Sequence, residues 1–412
     1  MTRTVLIGVS TRSLAESAAQ AAPGVVAADF FGDRDQARVV ESYAVGRDLG
    51  LPLTAAGLGT AAGRLGAEAV VYGANLENHP EVVEDLARHT EVLGNHAEVL
   101  RHVRDWRSLR RFCAEAGIAH PETLFAGEEG RAGRGHRWLR KRVRSGGGHG
   151  VCRWAGTALD DEHVLQREIP GRPASVAFVA DGEDYRVIGF CEQLVGRDWL
   201  GASGFTWCGN LLPFPAAPAE YRALFAQAAS LAGALTRHYG LRGLNGADLV
   251  VARGRDGRRR AFLVEVNPRY SASMELAERA YGLSAYALHL DALAGRLPAA
   301  AAAPEPPSEY HGKAIVYAGQ DLVVPDTGDW YGRDRRDIPY QGHHIAAGHP
   351  VCTVLGTGAT RSSCLERLSA GAAAVYEETR PRREGRRERE PHLDHRSYAQ
   401  AGDWYAQGEV VT

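Results

Sequence analysis

Phe262-Leu263-Val264-Glu265-Val266-Asn267-Pro268-Arg269 reads as a strand that carries polar oxygens among apolar neighbours. Side chains alternate faces along a strand, so Glu265 and Asn267 point the same way. Leu263, Val264 and Val266 leave little that would solvate a surface acid. A second acid, Asp248, lies in the preceding apolar run Asn245-Gly246-Ala247-Asp248-Leu249-Val250-Val251, and the turn-like Arg253-Gly254-Arg255-Asp256-Gly257-Arg258 joins the two runs. If they form a hairpin, Asp248, Glu265 and Asn267 converge. A few oxygen ligands of this kind suit magnesium, one or two ions, which keeps waters and also holds substrate phosphates.

Trp138-Leu139-Arg140-Lys141-Arg142-Val143-Arg144-Ser145-Gly146-Gly147-Gly148-His149-Gly150-Val151 offers a second holder for such phosphates. Glycines let successive backbone N–H groups crowd around an anion, and a neighbouring cation adds charge. Lys141 and Lys313 are the only lysines, so 46 of the 48 basic residues are arginine. A chain that otherwise uses the planar guanidinium fork places a compact ammonium here. By themselves, a polar hairpin on a sheet surface and an exposed glycine loop are the plainer readings of these segments. The apolar flanks, Lys141 and the arginine at 269 argue against both.

The chain has 412 residues, more than one hydrophobic core usually organises, so two or three domains are expected. Apolar residues make up 44% and charged ones 24%, as in ordinary globular proteins. The formal net charge of −2 gives no global field for nucleic acid or an anionic membrane. Cys113, Cys152, Cys191, Cys208, Cys352 and Cys364 form no C-x-x-C pair and read as reduced thiols. The start, Met1 to Val9, has too short an apolar run for a signal peptide, and no stretch reaches the ~18 apolar residues that span a bilayer. A cytoplasmic protein with no membrane or nucleic-acid partner is expected.

The fold class expected is α/β, with an α+β second domain. Thr4 to Val9, a helix from Leu14 to Ala22, and Gly24 to Ala28 make a βαβ pattern, with further strands at Ala67 to Tyr72 and Val92 to Asn95. Residues 1–97 are therefore read as a doubly wound parallel-sheet domain. No G-x-G-x-x-G follows the first strand, which disfavours a nicotinamide cofactor. Residues 98–297 hold the helix from His96 to Ala116, antiparallel strands at Arg167 to Val179 and Tyr185 to Gln193, a long helix from Ala219 to Tyr239, and a helical region from Ser273 to Ala294. An alanine- and proline-rich linker at 298–310, a small module at 311–379 and a charged, disordered tail at 380–412 complete the expectation. His343, His344 and His349 lack the spacing of a zinc site and read as a polar turn. No G-x-S-x-G elbow or other nucleophile motif occurs.

Lys141 before the glycine loop, then Val164-Leu165-Gln166-Arg167-Glu168-Ile169-Pro170-Gly171, then Asp248, then Glu265-Val266-Asn267-Pro268-Arg269 together resemble, in order and spacing, the nucleotide site of the ATP-grasp superfamily. The chain is most similar to the group described as predicted ATP-dependent carboligases and more distantly to amino-acid and D-alanine ligases. The resemblance spans roughly the first 380 residues. It implies that ATP binds through Lys141, Ser145, Gly146, Gly147, Gly148, Gly150, Gln166, Arg167, Glu168 and Ile169, with Gln166 and the backbone of Arg167 and Ile169 toward adenine. It implies Mg²⁺ on Asp248, Glu265 and Asn267, with Lys141 and Arg269 catalytic, Arg269 on the transferred phosphoryl group.

The activity implied is ATP-dependent, ADP-forming ligation of a small carboxylate to an amine through an acyl phosphate, in a possible homodimer. A non-catalytic ATP-binding protein and a bicarbonate-dependent carboxylase are the alternatives. Two departures stand out. Gly171-Arg172-Pro173-Ala174-Ser175 lacks the acid that many members use on ribose. Arg104-Asp105-Trp106-Arg107 lacks a second phosphate lysine, which leaves two readings, substitution by Arg107 or loss of that contact. Ser10 to Ser13 and Tyr270-Ser271-Ala272-Ser273 are expected to meet the substrates.

Overall fold

The computed structural model describes residues 2–133, 135–254, 257–299 and 305–380. The expected tail from 381 onward, residues 300–304 of the expected linker, and Arg255 and Asp256 of the expected turn lie outside them. Near the start, short β-branched and alanine-rich runs form parallel strands β1 (Thr4–Ile7), β2 (Val26–Asp29), β3 (Glu41–Ala44), β4 (Ala69–Tyr72) and β5 (Glu91–Val92), in the order β3-β2-β1-β4-β5. The sequence reading missed β3, which is polar and only half-buried and carries no apolar run to mark it. Helices α1 (Arg12–Ala21), α2 (Val45–Leu49), α3 (Ala55–Arg64) and α4 (Pro80–Leu86) cover this sheet. The expected helix from His96 to Ala116 is two, α5 (Ala97–Val103) and α6 (Trp106–Glu115), because Asp105 caps the second by accepting from the Arg107 N–H.

A small antiparallel sheet, β6 (Thr123–Leu124), β7 (Trp138–Arg142), β8 (Cys152–Arg153) and β9 (His163–Arg167), follows in the order β6-β9-β7-β8, with the glycine loop between β7 and β8. The main sheet is built from β10 (Arg172–Asp181), β11 (Tyr185–Val195), β12 (Trp207–Leu212), β13 (Arg242–Arg253) and β14 (Arg259–Asn267). Along β10, Val176, Phe178 and Ala180 enter a core under the long helix α7 (Pro218–Tyr239), while Ala177 and Val179 enter another, shared with Ala285 and Tyr286. This period-two division buries both faces. Gly240, at φ +67°, ends α7 in the left-handed region, as a C-terminal glycine should.

The helical region after β14 is again two helices, α8 (Met274–Tyr281) and α9 (Ala285–Leu293), separated at Gly282. Leu14, Tyr286 and Ala292 of α1 and α9 share one core with Leu6 and Val71 of the parallel sheet and Leu244 of β13, which fastens the first domain to the main sheet. Strand β15 (Tyr310–Tyr317) pairs with β12, so the main sheet continues past residue 310. The remaining strands are β16 (Leu322–Val323), β17 (Arg335–Arg336), β18 (His344–Ile345) and β19 (Pro350–Gly358). Among the described residues the main sheet runs β14-β13-β10-β11-β12-β15-β19-β17, and β16 pairs with β18. Helix α10 (Arg361–Thr379) closes the far end, where Arg361 holds the buried Glu192 at 2.7 and 2.8 Å. No helix among the described residues is long and apolar enough to cross a membrane.

His289 of α9 makes the junction between the two sheets sensitive to acid. Its Nδ1 accepts from the Leu244 N–H at 2.9 Å, which leaves Nε2 to donate to the Leu93 carbonyl at 3.0 Å. Burial, against the pull of the Leu93 carbonyl, lowers the imidazole to about 4 from the usual 6.5. The folded state therefore resists a proton that the unfolded chain accepts. The resulting stability is complete above pH ~6.5 and is lost as pH falls toward ~4. Thermal melts between pH 7.5 and 4 should show a drop of the midpoint across that window that shrinks in His289→Gln; identical pH profiles would refute the assignment.

Candidate active site

Loops beyond the carboxyl ends of β1, β2 and β4 meet the small sheet, the main sheet and the β15–β19 region around one cleft of ≈ 1880 Å³. Ligands of open parallel sheets bind in this place, where the strand order reverses direction, here between β1 and β4. Lys141, Ser145, Gly146, Gly147, Gly148, Gln166, Arg167, Glu168, Ile169, Asp248, Glu265, Asn267 and Arg269 all line it. Gly150 does not; at φ +70° it turns the chain beside the Arg142 stem.

Asp248 and Glu265 stand directly opposite on β13 and β14, and Gly246 faces Asn267. The register then slips by one residue, so Leu249 pairs with Leu263 and Val264 is the extra residue. Plain alternation would have put Leu263 on the face of Glu265. The bulge sends Leu263 and Val266 into the core beneath α7 and leaves Glu265 and Asn267 to the cleft. Bulges commonly re-aim side chains in this way beside active sites. Asp248 accepts from Asn267 Nδ2 at 3.2 Å and from Gln193 Nε2 at 2.9 Å. Burial, followed by the charge of Glu265, pushes the Asp248 carboxyl up to about 8. Two carboxylates held this close need a positive charge between or beside them.

The cations around the pair are placed individually. Lys141 is held by Gln166 Oε1 at 2.7 Å, with its ammonium 5.9 Å from the centre of the Trp106 ring. Burial lowers its pKa, while Glu265 and Asp248 pull it back up. The Gln166 side chain, expected toward adenine, is engaged here by Lys141 and donates to Thr123 Oγ1 at 3.3 Å. The end of β9 also brings backbone groups to the cleft. The Glu168 N–H already donates to the Arg137 carbonyl, and among the described residues nothing accepts from the Ile169 N–H.

Arg107, one of the two readings for the missing phosphate lysine, is exposed and stacks on Phe125 at 4.1 Å, outside the cleft lining. Arg104, three residues earlier, comes within 3.7 Å of Glu265 and donates to Asn78 at 2.7 Å and to the Ser145 carbonyl at 3.2 Å. The glycine loop is docked rather than free: the Trp207 N–H donates to the Gly147 carbonyl at 2.8 Å, and a Cβ at Gly148, where φ is +78°, would lie 1.8 Å from the Phe205 oxygen.

Arg269 reaches back to the first domain. Its Nε donates to Glu77 at 2.8 Å, with a second nitrogen 2.7 Å from the same oxygen, and it donates to the Tyr270 carbonyl at 2.9 Å and to Asn267 at 3.4 Å. Burial opposes the Arg269 charge, and Glu77 more than restores it, so its pKa rises; Glu77 is itself lowered against burial by Arg269. Among the described residues no three His, Cys, Asp or Glu side chains converge as a metal set. The protein offers two carboxylates and an amide. That is too few for a closed ion cage but fits a magnesium ion whose other ligands are phosphate oxygens and water. Ser10, Arg12, Ser13 and Tyr270 to Ser273 also line the cleft, whereas Thr11 is turned toward Asp29.

Residues 104–273 match the family model described as an ATP-grasp domain. No curated protein matches the sequence. Similar folds among solved structures include the biotin carboxylase domain dimer of Hydrogenobacter thermophilus 2-oxoglutarate carboxylase, crystallised with MgADP, ADP and bicarbonate. That likeness has a TM-score of 0.64 at 13% identity, over 87% of this chain and 86% of that one. Biotin carboxylase from Campylobacter jejuni gives 0.65 at 14%, over 92% and 91%. N5-carboxyaminoimidazole ribonucleotide synthetase from Thermotoga maritima gives 0.61 at 13%, over 90% and 98%.

Removing one partner of the Glu77–Arg269 pair leaves a buried charge uncompensated. Glu77→Gln and Arg269→Gln should each lower the urea-unfolding free energy by about 3–5 kcal/mol, and the double variant by clearly less than their sum. Additive losses would show that the two side chains are independent.

Proposed function

Because residues 104–273 form an ATP-grasp domain, we propose that the protein is an ATP-dependent, ADP-forming carboxylate–amine ligase acting on small molecules. The observation that carries this reading is the meeting in one cleft of the opposed Asp248 and Glu265, the buried Lys141 ammonium and the anchored Arg269 fork. No nucleophilic side chain is required, because phosphoryl transfer depends on positioning and charge compensation.

Asp248, Glu265 and Asn267 would hold magnesium, which when bound neutralises phosphate charge. The Gly146 to Gly148 amides cradle phosphate oxygens, and Lys141, fixed between Gln166 and Trp106, offsets charge that builds on the transferred group. Arg269 presents donors to the substrate carboxylate and then to the acyl phosphate, oriented by Glu77 as a positioning residue. The Ile169 N–H, at the end of β9, is the donor available to the adenine edge. An amine entering from the side of the first domain then attacks the acyl carbon, its C–N bond forms, and phosphate leaves with the former C–O electron pair and takes up the proton that the amine nitrogen loses.

The named carboxylases and synthetase among the similar folds favour one other reading, in which bicarbonate is the phosphorylated acid. The dimer named among them also makes a homodimer worth testing by light scattering. ADP release measured with carboxylate–amine pairs, and separately with bicarbonate, decides between the two activities. Lys141→Ala and Glu265→Gln should each reduce the productive rate by about 10²–10³-fold. Unchanged turnover in either variant would remove that residue from the mechanism, and tight ATP binding without ADP from any acceptor would leave a binding protein.

A further inference from the structure

At the first-domain end of the same cleft lies a charge cluster that the nucleotide site does not use. Arg12, 1% exposed, donates to both oxygens of Glu275 at 2.7 and 3.0 Å, to Asp337 at 2.9 Å and to Glu16 at 3.1 Å. Lys313, the second of the two lysines, donates to Glu275 at 2.6 Å. Asp35 accepts from the Asp337 and Ile338 N–H groups at 3.0 and 2.8 Å. Asp29 accepts from Thr11, Phe31 and Gly32.

Each of these acids has at least one donor fixed by the fold, although among the described residues Glu16 Oε1 makes no hydrogen bond of its own and lies 3.6 Å from Arg336. Asp33, on the loop after β2, is 5% exposed, lines the cleft, and has an Oδ2 with no hydrogen-bond partner among the described residues. A buried carboxylate oxygen without a donor is costly to keep. Arg12 offsets this only in part, since its guanidinium donates to Glu275, Asp337 and Glu16 and none of its hydrogen bonds goes to Asp33. Burial, then Asp337, Asp35 and Asp29, all act against its charge.

We propose that Asp33 binds a cationic nitrogen of the substrate, an ammonium that does not itself react, so that the enzyme selects substrates bearing a positive charge beside the reacting group. The proposal rests on the ligase reading for the word substrate, though the binding site itself does not. An ammonium entering the cleft supplies the missing donor and a charge opposite to the surrounding acids. Asp337, held by Arg12, donates its N–H to Asp35 and so ties the loop that carries Asp33 to this cluster.

Calorimetry on the full chain, with a non-hydrolysable ATP analogue and Mg²⁺ present, tests this with L-lysine, norleucine, 6-aminohexanoate and hexanoate. The parent should bind at least one ammonium-bearing probe tenfold or more tighter than hexanoate. Norleucine against 6-aminohexanoate then tells whether the recognised nitrogen is next to the carboxylate or distant from it. Asp33→Asn should erase the discrimination while leaving the affinity for the ATP analogue within twofold and the unfolding midpoint no lower than the parent's; Asp33→Glu should retain part of the discrimination.

Equal binding of hexanoate and the charged probes by the parent, or a loss in Asp33→Asn that is the same for all probes, overturns the proposal. ADP release with the same probes separates the two readings. Discrimination without ADP removes the ligase assignment alone, and ADP without discrimination removes the Asp33 subsite alone.

Discussion

The opposition of Asp248 and Glu265 across adjacent antiparallel strands is the constraint around which the rest of the cleft is arranged. Like charges placed directly opposite on a sheet destabilise it, and here burial removes the water that would screen them. The fold answers locally with donors, Gln193 and Asn267 on Asp248 and Arg104 near Glu265, and leaves the remaining deficit to what the cleft binds. Such a pair is relieved either by a proton, as the raised Asp248 carboxyl shows, or by a cation that the cleft binds. For the same reason Lys141 and Arg269 stand half-buried on the cleft wall instead of free in solvent. Each is held by a partner that fixes its direction, Gln166 or Glu77, so that its charge acts toward the cleft.

Much of this was legible in the sequence because it is local. Two apolar runs joined by a turn-like segment specify a hairpin, and the hairpin brings Asp248 and Glu265 together. A glycine run after an apolar strand specifies a loop that closes on something. What stayed illegible depends on register and on distant partners. The bulge at Val264 leaves no compositional mark, yet it decides which face Leu263 takes. Glu77 meets Arg269 across 192 positions of chain, so nothing near Arg269 announces it. Arg104 and Arg107 are the same residue type three positions apart. Only the start of α6 at Trp106, which points one toward Phe125 and the other toward Glu265, separates their roles.

The near-absence of lysine gains meaning from where the two lysines stand. Arginine forms the multidentate contacts of the interior: Arg12 on Glu275 and Asp337, Arg104 on Asn78 and the Ser145 carbonyl, Arg361 on Glu192. A planar fork suits these fixed, several-point attachments. Lys141 and Lys313 instead place one compact charge each on the wall of the cleft, one beside the carboxylate pair and one beside Glu275. The two ends of the cleft are thereby given different balances. Around Asp248 and Glu265 the fixed cations are numerous and the cleft suits a polyanion with its metal. Around Asp33 the fixed cations are already matched, an acid is left over, and the cleft there suits a cation. A ligand that spans both ends must be anionic at one and cationic at the other. This polarity would set the direction in which a substrate lies across the site before any bond is made.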